Sequence, residues 1–198
     1  MDKGKVDKIA ILLVVLDDVE PAVSRRLAVP AGIKLDRLHL ALQAALGWTN
    51  SHLWEIRVGE ASWGVPDPDW PDGPGDARKE TLAGVLADTR EKVLSYLYDF
   101  GDGWEHTVKV ERFEDADPSE RYPKLIEASG RCPPEDVGGP PGYEECLAAI
   151  ADPNDERHEE VVEWWPEGFD PNTAPFKELS AMVMGLAMKW NRKPRGAK

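Results

Sequence analysis

Hydrophobic positions change their spacing along this chain, and each change predicts an element. Residues 6–19 are rich in Ile, Leu and Val with little alternation, as in a strand buried on both faces, and Pro21 ends the run. Residues 22–29 alternate, with Val23, Arg25, Leu27 and Val29 on one side, which predicts an antiparallel partner. Arg25 and Arg26 are adjacent, so they point to opposite faces and only one can lie toward the core. From 33 to 46 the spacing becomes helical: Leu35, Leu38, Leu42 and Ala45 form a stripe with His39 beside it, and Gly47 is placed to end the helix. Residues 50–58, NSHLWEIRV, predict a third strand with His52, Trp54, Ile56 and Val58 inward. A Pro-, Gly- and Asp-rich loop follows at 63–76, carrying Trp63 and Trp70; it reads as a variable insertion more than as a rim over a binding surface. Residues 81–87 form a short helical or turn segment.

The densest stretch is 94–111, LSYLYDFGDGWEHTVKVE, in which two alternating segments flank a Gly-Asp-Gly turn. It predicts a β-hairpin. A three-residue loop, Gly101-Asp102-Gly103, pairs Phe100 with Trp104, Tyr98 with His106 and Tyr96 with Val108. Tyr96, Tyr98, Phe100, Trp104, His106, Val108 and Val110 then share the apolar face, while Asp99 faces away, and Gly103 takes the left-handed position. A two-residue loop would scatter the aromatic residues over both faces.

An acidic connector at 114–120 leads to a possible strand at 122–128 and a Pro- and Gly-rich loop at 131–142, shaped by fixed and permissive backbone angles. Short helices are expected at 143–150 and 156–165. The last helix has the clearest spacing, Phe176, Leu179, Val183, Leu186 and Trp190, with Asn172 or Thr173 as its cap. No period of 20 to 50 residues recurs. Strands and one helix, then a hairpin, then helices predict an α+β fold: a bent, mainly antiparallel sheet packed by one helix and closed by C-terminal helices. Residues 1–190 are expected to form one domain, with 191–198 a basic C-terminal tail.

Composition narrows the function classes. At 198 residues, 41% hydrophobic and 31% charged, the chain can bury a core without disulfides. Cys132 and Cys146 are too few for a disulfide framework. The apolar run near the N-terminus is too short to span a bilayer and is followed by acids, so a cytoplasmic location is expected. A formal charge of −13 disfavours bulk nucleic-acid binding. The sign reverses only around Lys189, Arg192, Lys193, Arg195 and Lys198, where a solvated tail is the plainer reading and a DNA contact the sharper one.

His39, His52, Glu55, Asp99, Asp102, His106, Cys132, Glu135, Asp136 and Cys146 are the side chains able to ligate a metal, but no zinc or calcium spacing occurs among them. His52 and Glu55 sit on opposite strand faces by parity. His106 reads as a neutral core histidine held by a tyrosine hydroxyl or a carbonyl, and Asp99 and Asp102 as turn residues. Cys132 is followed by Glu135 and Asp136, an acidic setting that would raise a thiol pKa, so it reads as structural. No phosphate-binding loop is present.

Several motifs together resemble the plasmid pRiA4b ORF-3-like family, whose members include passenger proteins of bacterial insertion elements. They are Ser24-Arg25-Arg26, Leu46-Gly47-Trp48, Ser51-His52-Leu53, and the run from Tyr98 through Asp99, Phe100, Gly101, Asp102, Gly103, Trp104 and Glu105 to His106. They continue through Tyr122-Pro123, Cys132-Pro133-Pro134-Glu135-Asp136-Val137-Gly138-Gly139-Pro140, Gly142-Tyr143 and Phe169-Asp170-Pro171. The resemblance implies a compact α+β domain and supplies no established activity. Ser24 stands where members often carry Trp, and Trp54 where they often carry a second His; if that His pair binds metal in members, half of it is lost here.

The expected function is a non-enzymatic binding or adaptor module associated with mobile elements, with no cofactor and a protein or small-molecule partner. Its surface is expected at Asp99, Asp102, Trp104, His106, Cys132, Glu135, Asp136 and Tyr143, with Trp63 and Trp70 nearby. The competing expectation is a metal-dependent hydrolase or nuclease using Asp99, Asp102, His106, Glu135 and Asp136.

Overall fold

Apolar runs that cannot stay in water are spent here on one sheet with helices over one face. The computed structural model describes residues 7–191. In chain order the elements are β1 (Lys8–Leu16), β2 (Val23–Pro30), α1 (Leu35–Leu46), β3 (Trp54–Val58), β4 (Ala61–Gly64), β5 (Gly75–Asp76), α2 (Leu82–Thr89), β6 (Val93–Tyr98), β7 (Trp104–Asp115), β8 (Lys124–Ser129), α3 (Gly139–Ala151), α4 (His158–Trp164) and α5 (Phe176–Trp190). The eight strands lie in the order β5-β4-β3-β6-β7-β1-β2-β8. Every pairing is antiparallel except the short parallel contact of β4 with β5. The fold is α+β, as the pattern predicts. Val6 and the basic positions from Arg192 to Lys198 lie outside the described residues.

The main core lies between the sheet and α1, α2 and α5, with Leu12, Val14, Leu16, Val23, Leu27 and Val29 pointing into it. Ile9, Ile11 and Ala28 form a second, small cluster on the other face, so β1 is buried on both sides only near its start. Gly47 closes α1 in the left-handed region, at φ 90°. The loop at 63–76 is tied at both ends by β4 and β5; Trp63 packs against the core and Trp70 stands exposed.

Of the adjacent arginines, Arg25 is the buried one, 1% exposed, and no carboxylate partners it among the described residues. Its Nε donates to Ala45 O at 2.7 Å, and Nη1 donates to the carbonyls of Ser24, Ser129 and Gly130 at 2.7, 2.7 and 3.0 Å. Nη2 reaches Cys132 Sγ at 3.3 Å. The guanidinium thus joins α1, β2 and the chain leaving β8. Arg26, on the opposite face, pairs with Glu111 and Glu127.

The hairpin of β6 and β7 departs from the expected register by two residues. Tyr98 pairs with Trp104, Tyr96 with His106 and Leu94 with Val108, leaving a five-residue loop from Asp99 to Gly103. Asp99 enters the left-handed region at φ 58°, its Oδ1 accepts the Gly101 N–H at 2.9 Å, and the Gly103 N–H donates to Asp99 O at 2.6 Å. An aspartate that caps its own turn takes itself out of the strand. A slip of two preserves side-chain parity, so Tyr96, Tyr98, Trp104, His106, Val108 and Val110 keep the inner face. Phe100 does not: it is exposed at the turn. Gly103 is left-handed, as expected, at φ 70°.

Other boundaries also shift. Helix α3 begins at Gly139, with Pro140 and Pro141 in its first turn, where missing N–H groups do no harm. The expected caps Asn172 and Thr173 are held instead by the Asp170 side chain, and α5 starts after Pro175 with no side-chain cap. Strand β3 starts at Trp54; residues 50–53 form a loop.

Two histidines are interior and neutral. His39 stacks on Trp54 with ring centroids 4.0 Å apart; Tyr96 Oη lies 2.8 Å from its Nδ1 and Asn50 Oδ1 2.5 Å from its Nε2. His106 directs Nδ1 at the carbonyls of Tyr96 and Trp104, 3.0 and 3.1 Å away. Burial outweighs these hydrogen bonds and lowers both rings from 6.5 to about 4.

Replacing Arg25 with Met strands four carbonyls in a dry interior and is expected to destabilise the protein by about 3 kcal/mol or more. Arg26→Ala, which breaks a surface pair, is expected to remove less than about 1 kcal/mol. Urea denaturation of both variants checks this, and equal losses would contradict it. Between pH 6.5 and about 4 the unfolded chain binds protons that the folded His39 and His106 refuse, so stability is complete above pH 6.5 and falls as pH falls. Each ring contributes on the order of 3 kcal/mol to that loss. His106→Gln should therefore lose less stability than the wild-type protein between pH 7 and pH 4.5 by urea titration; an equal loss would contradict the assignment.

Candidate functional site

Three irregular segments meet at one end of the sheet: residues 48–53 after α1, the 99–103 turn, and residues 130–138 before α3. Irregular backbone leaves polar groups that must find partners, and here they find one another. Glu135 joins the first and third of these to the end of β6. Its Oε2 accepts the Thr49 N–H and the Thr49 hydroxyl at 2.9 and 2.7 Å, and its Oε1 accepts the Tyr98 hydroxyl and the Ser51 hydroxyl at 2.5 and 3.3 Å. Burial pushes the Glu135 carboxyl up, but the bonds from Tyr98, Thr49 and Ser51 outweigh it and leave the group below its ordinary range. Tyr98 Oη also accepts the Ser51 N–H at 3.0 Å.

The other two segments touch through backbone. Asp102 Oδ2 accepts the Gly138 N–H at 3.2 Å. At Gly139, φ 70°, a Cβ would stand 2.1 Å from Asp102 O, so only glycine lets the turn sit there. Trp48 Nε1 donates to Pro133 O at 2.9 Å, closing the seam from the α1 side. The Thr49–Ser51 segment is shaped from beneath, where the Asn50 N–H donates to Gln43 Oε1 at 2.9 Å and Asn50 is left-handed at φ 60°.

His52 lies between two carboxylates at this end. Its Nδ1 is 3.4 Å from Asp99 Oδ2 and its Nε2 is 3.2 Å from Asp136 Oδ1. The second approach is off-axis, so Nε2 is shielded from solvent yet makes no aligned hydrogen bond. One donor atom from each of the three residues falls within 4.8 Å of the other two.

Beside the seam a cleft of about 370 Å³ is lined by Trp48, Pro133, Pro134, Phe169, Leu179 and Met182, with Arg131, Glu135 and Glu178 supplying charge. Arg131 lies over the Phe169 ring at 4.6 Å. The lining is apolar with few polar groups, the usual composition of a ligand cleft.

Of the side chains expected to form the surface, the structure brings Asp99, Asp102, Glu135 and Asp136 to the seam. Trp104, His106, Cys132 and Tyr143 lie beneath it in the core. Burial pushes the Cys132 thiol up to about 11 against the opposing pull of Arg25, and burial together with Cys132 pushes the Tyr143 phenol up to about 12. The group Asp99, Asp102, His106, Glu135 and Asp136 does not converge on one point: His106 faces two carbonyls, Asp102 holds Gly138, and Glu135 is fully hydrogen-bonded. Only Asp99 and Asp136 meet, and they meet about His52, which the sequence reading did not place in the site. Its signal is the Ser51-His52-Leu53 motif; parity separates His52 from Glu55 only if β3 includes His52, and β3 begins at Trp54. Thr49, Ser51, Tyr98 and Trp48 were missed because hydroxyl and indole donors carry no spacing signature.

Comparisons with known proteins agree with this architecture. A protein from Sinorhizobium fredii (strain NBRC 101917 / NGR234) described as "Uncharacterized protein y4hQ" is 54% identical over 185 residues, which cover 93% of this chain and 95% of that protein. The crystal structure of "Protein of Unknown Function MM3350" from Methanosarcina mazei Go1 superposes with a TM-score of 0.80 at 28% identity, covering 88% of this chain and 98% of that one. The family model described as "Plasmid pRiA4b ORF-3-like protein" matches residues 8–178, a span that contains all three segments of the seam. The chain belongs to the plasmid pRiA4b ORF-3-like family.

Proposed function

We propose that the protein is a non-enzymatic binding module that takes an apolar side chain of a partner into the Trp48–Phe169–Met182 cleft, with an adjacent cationic group on that partner facing Glu178. The observation that carries this reading is the cleft itself: an apolar hollow of about 370 Å³, its mouth flanked by acids in a chain of net charge −13. Prolines 133 and 134 and the stacked Arg131 stiffen its wall, so little ordering is needed when a partner binds. The chemistry of the interior groups also favours binding over catalysis. A thiol raised to about 11 is a poor nucleophile, and a fully buried imidazole lowered to about 4 has no path to substrate.

The mobile-element association rests on the plasmid origin of the family's name. Among the described residues no helix is long and apolar enough to cross a membrane. A cytoplasmic location is part of the proposal, supported by two cysteines that are free and buried.

Selection of a displayed random-peptide library on the immobilised protein tests the reading. Enriched peptides are expected to place Leu, Phe or Met beside Lys or Arg. Their affinity should fall about tenfold or more with Glu178→Lys and with Met182→Asp, both at exposed positions. Equal binding to wild-type and variant proteins would overturn the cleft as the binding surface.

A further inference from the structure

We infer that His52, Asp99 and Asp136 form a binding site for a divalent transition-metal ion, with Zn²⁺ the best match to the donor set. The inference goes beyond the cleft and does not depend on it.

The three residues come from three separate segments and bring one imidazole and two carboxylates together. No lysine or arginine pairs with either aspartate among the described residues. Two carboxylates facing one imidazole with no lysine or arginine beside them are a donor set that a divalent cation can bridge. Asp99 is oriented for the purpose. Its Oδ1 is occupied by the amides of Gly101 and Asp102, at 2.9 and 3.4 Å, and its Oδ2 is turned toward His52. His52 contributes one ring nitrogen; Nε2 is the one that solvent does not reach and that no aligned hydrogen bond satisfies. The donors lie within 4.8 Å of one another. A tetrahedral zinc shell with ligand distances near 2.1 Å sets donors about 3.4 Å apart, so closing the site needs a contraction of roughly 1.4 Å at most. Asp136 Oδ1 already stands 3.2 Å from Nε2, so the approach is asked of the Asp99 side, where Oδ2 faces Nδ1 at 3.4 Å.

One nitrogen and two carboxylate oxygens suit Zn²⁺ or Mn²⁺. Calcium requires six or more oxygens, and magnesium favours an all-oxygen shell that keeps its waters. The ion would cross-link the 48–53 segment, the hairpin turn and the loop before α3; Glu135 joins the first and last of these through Thr49 and Ser51. Its role is that of a clip, with water completing the shell.

Calorimetric titration of the metal-stripped full chain with Zn²⁺ alone tests the site. One equivalent is expected to bind, with Mn²⁺ weaker and Ca²⁺ not binding. Asp136→Asn and His52→Ala should each weaken Zn²⁺ about tenfold or more. Asp102→Asn, in the same turn but engaged with Gly138, should leave it unchanged. Asn tolerates the left-handed backbone at 136 as Asp does, so metal-free Asp136→Asn should melt with the metal-free wild-type protein. Zn²⁺ should raise the melting temperature of the wild type and not that of the variant. Absence of saturable binding, or the same affinity in Asp136→Asn and His52→Ala as in the wild type, would overturn the site.

Discussion

One carboxylate ties together the irregular segments at one end of the sheet. Glu135 accepts four hydrogen bonds, from a backbone amide and three hydroxyls that belong to two other segments. Thr49 and Ser51 are exposed and would otherwise bond to water, so their bonds position the segment more than they stabilise it, whereas the part-buried Tyr98 hydroxyl gains a charged acceptor. The carboxylate is therefore a construction element, although its place in a Cys-Pro-Pro-Glu-Asp run invites a catalytic reading. Because it is fully engaged, the recognition proposed for the cleft rests on Glu178 and the apolar wall.

The loop that carries Glu135 is anchored at both ends as well. At its start, the buried Arg25 guanidinium binds the Ser129 and Gly130 carbonyls and reaches Cys132 Sγ. At its end, the Gly138 N–H and the side-chain-free Gly139 fit against Asp102. Pro133 and Pro134 restrict the backbone between those anchors. The Pro- and Gly-rich segment is thus a shaped wall between the cleft and the His52 cluster, as its fixed and permissive backbone angles imply.

Residue spacing made much of the fold legible. Parity showed that only one of Arg25 and Arg26 faces inward, and the helical stripe with Gly47 located α1 and its end. The inner face of the hairpin also came through, although its register was two residues off, because parity survives an even slip and Asp99 builds its own turn. The same aspartate explains why the site was less legible. Turn caps, hydroxyl latches and a histidine in a loop depend on long-range placement, and no local period encodes them. Trp104, His106, Cys132 and Tyr143 look chemical in one dimension yet serve as core: the first two lie on the inner face of β7, Tyr143 on the inner face of α3, and Cys132 in the loop beside Arg25.

Residues 48–53 and residues 130–138 open and close as one unit against the end of β6, because Glu135 bonds to Thr49, Ser51 and Tyr98. Native-state hydrogen exchange at the amides of Thr49, Ser51 and Gly138 measures this most directly. In the wild-type protein all three should be protected. In Glu135→Ala they should lose protection together, while the β6–β7 ladder amides keep theirs. Rapid exchange at these amides in the wild type, or unchanged protection in the variant, would contradict the account.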